Sequence, residues 1–302
     1  TRSGYGEQAR FALRSLRSRE DLFDIYVIPL NWGQTSWVPD YNDEKNWIDE
    51  TIEKTIAYIE GGGKFYISLQ VTIPNEWERL APINIGVTAG IETDRISRKW
   101  IEKSQIMDKI IVVSEHAKKG FTDSKYDVVD AQTNREVKGW KCQVPVEVVH
   151  YPVKSLEKTE LDLNLEHDFN FLVVAQWGPR KNLKNTVKWF MDEFKNDEVG
   201  LVVKTNLAKN CKFDRITMVN KLKNIMSSYP DAKCKIHLLH GYMTEQEMNG
   251  LYTHPKIKAL VSLTHGEGFG LPLFEAAYNG LPVIATNWSG HLDFLHMPTT
   301  NK

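Results

Sequence analysis

The sequence predicts an α/β protein of two domains, each a parallel sheet with helices on both faces. Three observations carry this expectation. The chain has 302 residues, and at roughly 150 residues per domain that length makes room for two. Short, β-branched apolar runs without strict alternation recur from end to end, as in strands buried on both faces. Segments with helical spacing lie between them, and repeated strand and helix alternation builds parallel sheets.

In chain order, residues 6–18 have the spacing of an amphipathic helix, 24–30 (DIYVIPL) read as a strand and 43–60 as a helix. Strands follow at 64–70 (KFYISLQ) and 83–87 (INIGV), then a helix at 97–105, a strand at 109–113 (KIIVV), a helix at 115–124 and a strand at 146–150 (VEVVH). Charged and small residues fill 151–167 without a clear strand. The domains are therefore drawn at 1–152 and 168–302, with 153–167 as a linker. The second block repeats the alternation, with strands at 169–175 (FNFLVVA), 199–203, 235–240, 258–263 and 282–285 and helices at 183–195, 214–228, 244–252 and 272–280. Two such domains in tandem would leave a cleft between the carboxyl ends of their strands, where ligands bind in such sheets.

Composition removes several function classes. With 38 basic and 39 acidic side chains the net charge is -1, so no global field favours nucleic acid or an anionic membrane. Cys142, Cys211 and Cys234 are scattered, without CxxC spacing, which argues against a disulfide framework or a zinc ribbon and fits a reducing, cytoplasmic compartment. No run approaches the roughly 20 apolar residues of a membrane span, and the basic N-terminus lacks a signal-peptide core. Peripheral membrane contact through the Arg-rich 10–19 segment stays open but unsupported, since Glu20 and Asp21 follow it and its apolar face is short. The histidines and cysteines do not cluster as metal ligands and no DxD pair occurs, so neither a metal nor a cofactor is expected.

Residues 258–290, KALVSLTHGEGFGLPLFEAAYNGLPVIATNWSG, are the most informative. A buried strand runs into a turn containing Gly266, Glu267, Gly268, Phe269 and Gly270, and Pro272 opens a helix. The glycines let the backbone approach a ligand, and the N–H groups at the helix start form an anion site. Glu275, placed in the first helical turn, can accept two hydrogen bonds from a vicinal diol such as ribose. Glu267 can face the other end of the same ligand. The alternative is a tight strand-to-helix turn with an ordinary helix-start acid.

The string EGFGLPLFE, from Glu267 to Glu275, followed by NGLPVIAT, resembles the signature of the retaining family 4 group of GT-B glycosyltransferases (glycosyltransferase group 1). The resemblance implies two Rossmann-like domains facing across a cleft. It also implies transfer of a hexose from a nucleoside diphosphate sugar to a saccharide or other acceptor hydroxyl, with retention and without metal. By the same resemblance Glu275 holds the ribose hydroxyls, Glu267 lies near the transferred sugar, and the amides of Gly268, Phe269, Gly270 and Leu271 contact sugar and phosphate. The likeness is strongest over 169–294 and patchier before 125. It also implies a strand before residue 3 and further elements after 295, so the chain reads as truncated at both ends.

A second element is LVVAQWGPRKNLK at 172–184, where Arg180 and Lys181 precede Asn182, a candidate helix cap. Adjacent cations at a strand's carboxyl end can neutralise a departing diphosphate; the alternative is a solvated basic turn. The family places a basic pair here. The sequence departs from it at Gln176, where many members carry an arginine. Lys204 ends the strand LVVK as a further donor contact or an exposed lysine. Gly241, Tyr242 and Met243 occupy the loop that lines the nucleobase in the family, and Thr244 with Glu247 forms a capping box.

The first half carries less. Gly4 and Gly6, in a Ser3 to Gly6 loop before the first helix, are donor-loop candidates, although GxG alone is not specific. The family has a cleft-facing histidine after the strand ending near Val87. Here Thr88 and Glu92 stand instead, making Glu92 a catalytic candidate or a helix-capping or ion-paired acid. Trp32, Trp37 and Tyr41 are candidates for a saccharide platform or for core. The readings kept open beside transfer are a nucleotide sugar epimerase or phosphorylase of the same fold, and a non-catalytic nucleotide-sugar-binding module. A dehydrogenase is disfavoured, because no third glycine accompanies Gly4 and Gly6.

Overall fold

The computed structural model describes residues 4–30, 42–129, 134–155, 157 and 159–296. The chain divides into two compact units, Thr1–Pro152 and Val153–Lys302.

The first unit opens with α1 (Gly4–Arg17) and α2 (Asp43–Glu60). Strands β1 (Ile67–Val71), β2 (Ile83–Thr88) and β3 (Lys109–Val112) follow, with α3 (Arg98–Ser104) before β3 and α4 (Glu115–Asp123) after it. A hairpin of β4 (Tyr126–Val129) and β5 (Glu136–Trp140) precedes β6 (Val146–Val148). Among the described residues β1, β2, β3 and β6 form a parallel sheet in that order. Side-chain caps start the helices where the sequence supplies them: Asn42 accepts from Lys45 N–H, Ser97 from Trp100 and Ser114 from Ala117. Trp77, Ile101, Ile110 and Phe121 are sealed in its core.

Two expectations fail in this unit. Residues 24–30 are not a strand, because their backbone is served by α2: Val27 N–H donates to Thr55 Oγ1 at 2.8 Å and Lys54 Nζ to Ile25 O at 3.2 Å. The β4–β5 hairpin was not expected. Its strands are antiparallel, short and interrupted by charged residues, so they lack the continuous apolar signal of the parallel strands.

The second unit contains β7 (Asn170–Val174), α5 (Leu183–Phe194), β8 (Gly200–Lys204), α6 (Lys212–Met226) and β9 (Lys235–Leu239). It continues with α7 (Glu245–Tyr252), β10 (Ile257–Ser262), α8 (Leu271–Tyr278), β11 (Val283–Ala285) and α9 (Leu292–Leu295). Its described strands are all parallel, in the order β11-β10-β7-β8-β9. Side chains alternate between two cores: Leu172 and Val202 pack with Leu251, Leu260 and Leu273 on one face, while Val173, Leu201 and Val203 pack with Leu183, Phe190 and Leu222 on the other. Continuous apolar strands are thus the requirement of a sheet covered on both faces.

Residues 153–167, read as a linker, belong to this unit. Leu161, Leu163 and Leu165 pack into the first of its cores, Lys154 Nζ donates to Glu245 Oε1 at 2.6 Å, and a Cβ on Gly250 would lie 2.0 Å from Thr159 O. The charged residues that suggested a linker alternate with leucines that face inward.

Candidate active site

The chain passes from β7 to β8 and β9 on one side of β7, then returns to place β10 on its other side. The boundary between β7 and β10 is therefore a topological switch point, where the loops leaving the carboxyl ends of two parallel strands diverge and open a crevice. The two segments singled out in the sequence are those two loops.

The loop after β7 is fastened to the loop after β10. Asn182 precedes α5 at φ 56°, in the left-handed region that asparagine tolerates, and its side chain does not cap the helix. Its Nδ2 donates instead to Leu263 O at 3.0 Å, while His265 N–H donates to Arg180 O at 2.9 Å. These bonds carry Arg180 and Lys181 to Glu267. Lys181 Nζ lies 2.5 and 2.7 Å from the two carboxylate oxygens, and Arg180 Nη1 donates to Glu267 Oε2 at 3.1 Å and to Gly266 O at 2.8 Å. Glu267 is 6% exposed, and these partners satisfy its carboxylate oxygens. The basic turn is thus engaged with the first glutamate of the motif.

Glu267 is also held through its backbone by the segment before α9. Its N–H donates to Ser289 Oγ at 2.9 Å and its carbonyl accepts from Gly290 N–H at 2.9 Å. A Cβ on Gly290 would stand 1.9 Å from Gly268 O, so only glycine permits this approach. Gly270 turns the chain into α8 at φ 96°. Leu271 begins that helix and Pro272 follows in its first turn, where an N–H is not needed. The ring of Phe269 is buried against Phe274 and Phe294, so a ligand role for this residue falls to its main chain.

Glu275 was expected in the first helical turn; it is the fifth residue of α8, just beyond it, and is exposed. Its Oε2 accepts a hydrogen bond from Tyr252 OH at 2.8 Å. Burial, then the charge of Glu275, push the Tyr252 phenol well above its ordinary value, so the hydroxyl remains a donor.

Lys204, at the end of β8, donates to Gly241 O, and Thr205 N–H donates to Leu239 O at 3.1 Å. Burial lowers the pKa of the ammonium, against the raising effect of Glu247. Gly241 (φ 115°) leads to exposed Tyr242, to Met243 packed on the core, and to the capping box of Thr244 and Glu247 at α7. Gln176 donates to Leu207 O at 2.6 Å. Sequence reasoning missed Asp214, which accepts the N–H groups of Leu207, Ala208 and Lys209 and a bond from His240 Nε2, all within 2.9 Å. An acid in the first turn of α6 was the available signal.

In the first unit Gly4 and Gly6 lie inside α1, so the glycine loop expected at 3–6 is already helical from Gly4. Tyr5 OH meets Thr88 Oγ1 at 2.7 Å, and Thr88 is fully buried. Glu92 is half-buried in the loop after β2. Ser3, Trp32, Trp37 and Tyr41 lie outside the described residues. Among the described residues no three His, Cys, Asp or Glu side chains form a metal-holding group, and no helix is long and apolar enough to cross a membrane. All three cysteines are free, Cys211 exposed and the others buried.

Residues 162–297 match the family model described as Glycosyl transferases group 1. The chain resembles the group 1 glycosyltransferases. The match takes in both loops at the switch point and the segment that holds Glu267 through Ser289 and Gly290. Among solved structures, one described as trehalose-6-phosphate from E. coli bound with UDP-2-fluoro glucose aligns at 10% identity and TM-score 0.51, over 84% of this chain and 65% of that one. The OtsA apo structure aligns at 10% identity and TM-score 0.48, over 70% and 55%. The pneumococcal O-GlcNAc transferase GtfA, in complex with UDP and GlcNAc, aligns at 15% and TM-score 0.44, over 76% and 44%. The chain therefore spans between 44% and 65% of the length of these three proteins. The fold is GT-B, with two α/β units built on parallel sheets. No curated protein sequence matches the chain.

Proposed function

We propose that this chain transfers a hexose from a nucleoside diphosphate sugar to an acceptor hydroxyl, with retention at the anomeric carbon and with side chains neutralising the leaving group. One observation carries the reading: Lys181 and Arg180, from the loop after β7, converge on Glu267, from the loop after β10, at the switch point of the sheet. A departing diphosphate gathers negative charge as the glycosidic bond breaks, and preorganised cations beside it lower that barrier. Glu267 holds the Lys181 ammonium through both of its carboxylate oxygens. The N-terminus of α8, entered through Gly270, adds amide dipoles for the phosphate or sugar. Glu275, oriented by the buried Tyr252 hydroxyl, receives the ribose diol. Lys204 and the Gly241 to Met243 loop border the base.

The test is a thermal-shift screen of UDP, GDP and ADP, followed by turnover of the matching nucleotide sugars and product analysis. A stabilising diphosphate, transfer or hydrolysis of its sugar, and a loss of about 10²-fold in kcat in Lys181→Ala are the expected results. Wild-type turnover in Glu275→Ala would overturn the ribose assignment. The same cleft kept as a non-catalytic nucleotide-sugar-binding module is the second reading. It is favoured by one observation, that the hydroxyl of Thr88, at the end of β2, is buried and taken by Tyr5. Glu92, in the loop that follows, would be the candidate acid for acceptor activation. Binding of a diphosphate without turnover would select this reading.

A further inference from the structure

Ser289 adopts φ 89°, a backbone conformation that a residue with a Cβ rarely takes and that persists only where the surroundings impose it. Glycine would occupy the position without strain. The side chain contributes little apolar packing, yet the residue is 4% exposed. Its hydroxyl has a defined set of neighbours. Oγ accepts the N–H of Glu267 at 2.9 Å and lies 3.4 Å from His291 Nδ1. His291 is fully buried, and its Nε2 must donate to Thr286 O, 2.7 Å away, because a carbonyl can only accept. In neutral His291 that bond fixes the tautomer and leaves Nδ1 as an acceptor turned toward Ser289. The hydroxyl proton is thereby drawn toward His291 and the oxygen lone pairs toward Glu267. Thr286 Oγ1 in turn donates to Thr264 O at 3.3 Å, tying the segment to the start of the same loop.

The geometry points to Ser289, aligned by His291, as a positioning residue that sets Glu267 against Lys181. The strained backbone places an oxygen where glycine would place none, at the peptide of the one carboxylate on which both cations converge. Gly290 holds the carbonyl of the same residue, so both backbone polar groups of Glu267 are fixed by two consecutive residues. Displacement of a catalytic group by about 1 Å is enough to reduce turnover strongly. This role rests on the transfer reading above for its kinetic consequence, but not for its geometry.

Ser289→Gly separates positioning from folding, because it removes the hydroxyl and relieves the strain together. The 302-residue chain is compared with Ser289→Gly and Ser289→Ala in melting temperature, in donor kcat and KM, and in exchange of the Lys181 ammonium protons followed by nitrogen-detected NMR. Ser289→Gly is expected to melt no lower than wild type, to lose about tenfold or more in kcat, and to keep its donor KM within about threefold. Its Lys181 protons exchange faster as the ion pair loosens. Ser289→Ala shows the same kinetic loss with a lower melting temperature. Wild-type kcat and wild-type Lys181 exchange in Ser289→Gly would overturn the assignment. If the wild-type chain turns over no nucleotide sugar, the transfer reading fails by itself and Lys181 exchange decides the positioning role: faster exchange in Ser289→Gly supports it, unchanged exchange overturns it.

Discussion

The Lys181 ammonium contacts both oxygens of the Glu267 carboxylate, 2.5 and 2.7 Å away, across 86 residues of sequence. Removing one partner leaves a buried charge with reduced compensation, which typically costs several kcal/mol, whereas removing both costs less. Lys181→Met should lower the stability of the second unit by about 3 kcal/mol, and adding Glu267→Gln should recover part of that loss. Urea unfolding of the single and double variants measures the coupling. Additive effects would show that the two side chains do not act as a pair.

Tyr252→Phe removes the hydroxyl that meets Glu275 without altering the ring. The cost in stability should be about 1.5–3 kcal/mol, the range for a hydrogen bond to a charged group. In the transfer reading, nucleoside diphosphate affinity should weaken several-fold while kcat at saturating donor holds. Isothermal calorimetry with the diphosphate that stabilises the wild type reads the first, and initial rates the second.

Asp214 supplies a pH dependence at the acidic end. Burial alone would push its carboxyl up, but the N–H groups of Leu207, Lys209 and Ala208 and the bond from His240 outweigh it, holding the group well below the usual carboxylate range. The folded state therefore keeps this carboxylate charged after the unfolded chain has taken up a proton. Its contribution is complete above about pH 4 and is lost as the pH falls through the depressed folded-state value. Asp214→Asn should be less stable than wild type by about 2 kcal/mol at neutral pH, with the gap closing below pH ~4. Denaturation curves at several pH values check the sign.

Tyr5 acts at the alkaline end. Burial pushes its phenol up to about 12, against the lowering effect of Thr88. Above about pH 10 the unfolded chain ionises this phenol while the folded chain keeps it neutral. The stability that Tyr5 contributes is whole below that point and falls as the pH climbs through the folded-state value. Tyr5→Phe should show a shallower loss of stability than wild type between pH ~9.5 and ~11.5. Equal slopes would remove Tyr5 from the alkaline response.

The parallel strands of the second unit were legible because burial on both faces demands unbroken apolar runs, as in NFLVV and GLVVK. The turn from Glu267 through Gly270 into α8 was legible because it lies on consecutive residues. The grip of Lys181 and Arg180 on Glu267 was not, since sequence shows no register between loops that a returning strand brings together. Asn182 was found for the wrong reason: its position precedes α5 as expected, but its amide serves Leu263 and not the helix. Ser289 and His291 gave no sign, because neither a positive φ nor a buried side-chain contact leaves a pattern in composition. The segment DIYVIPL misled because side chains of α2 can satisfy a backbone as well as a neighbouring strand can.

Leu161, Leu163 and Leu165 help cover the core that contains Leu251 and Tyr252, and Tyr252 donates a hydrogen bond to Glu275. A fragment cut at residue 168, where the strands resume, would strip this cover, expose the buried phenol to water and loosen the glutamate it holds. A fragment beginning at Val153 would keep both. The choice of start site for expressing the second unit by itself is therefore already a choice about how firmly Glu275 is held.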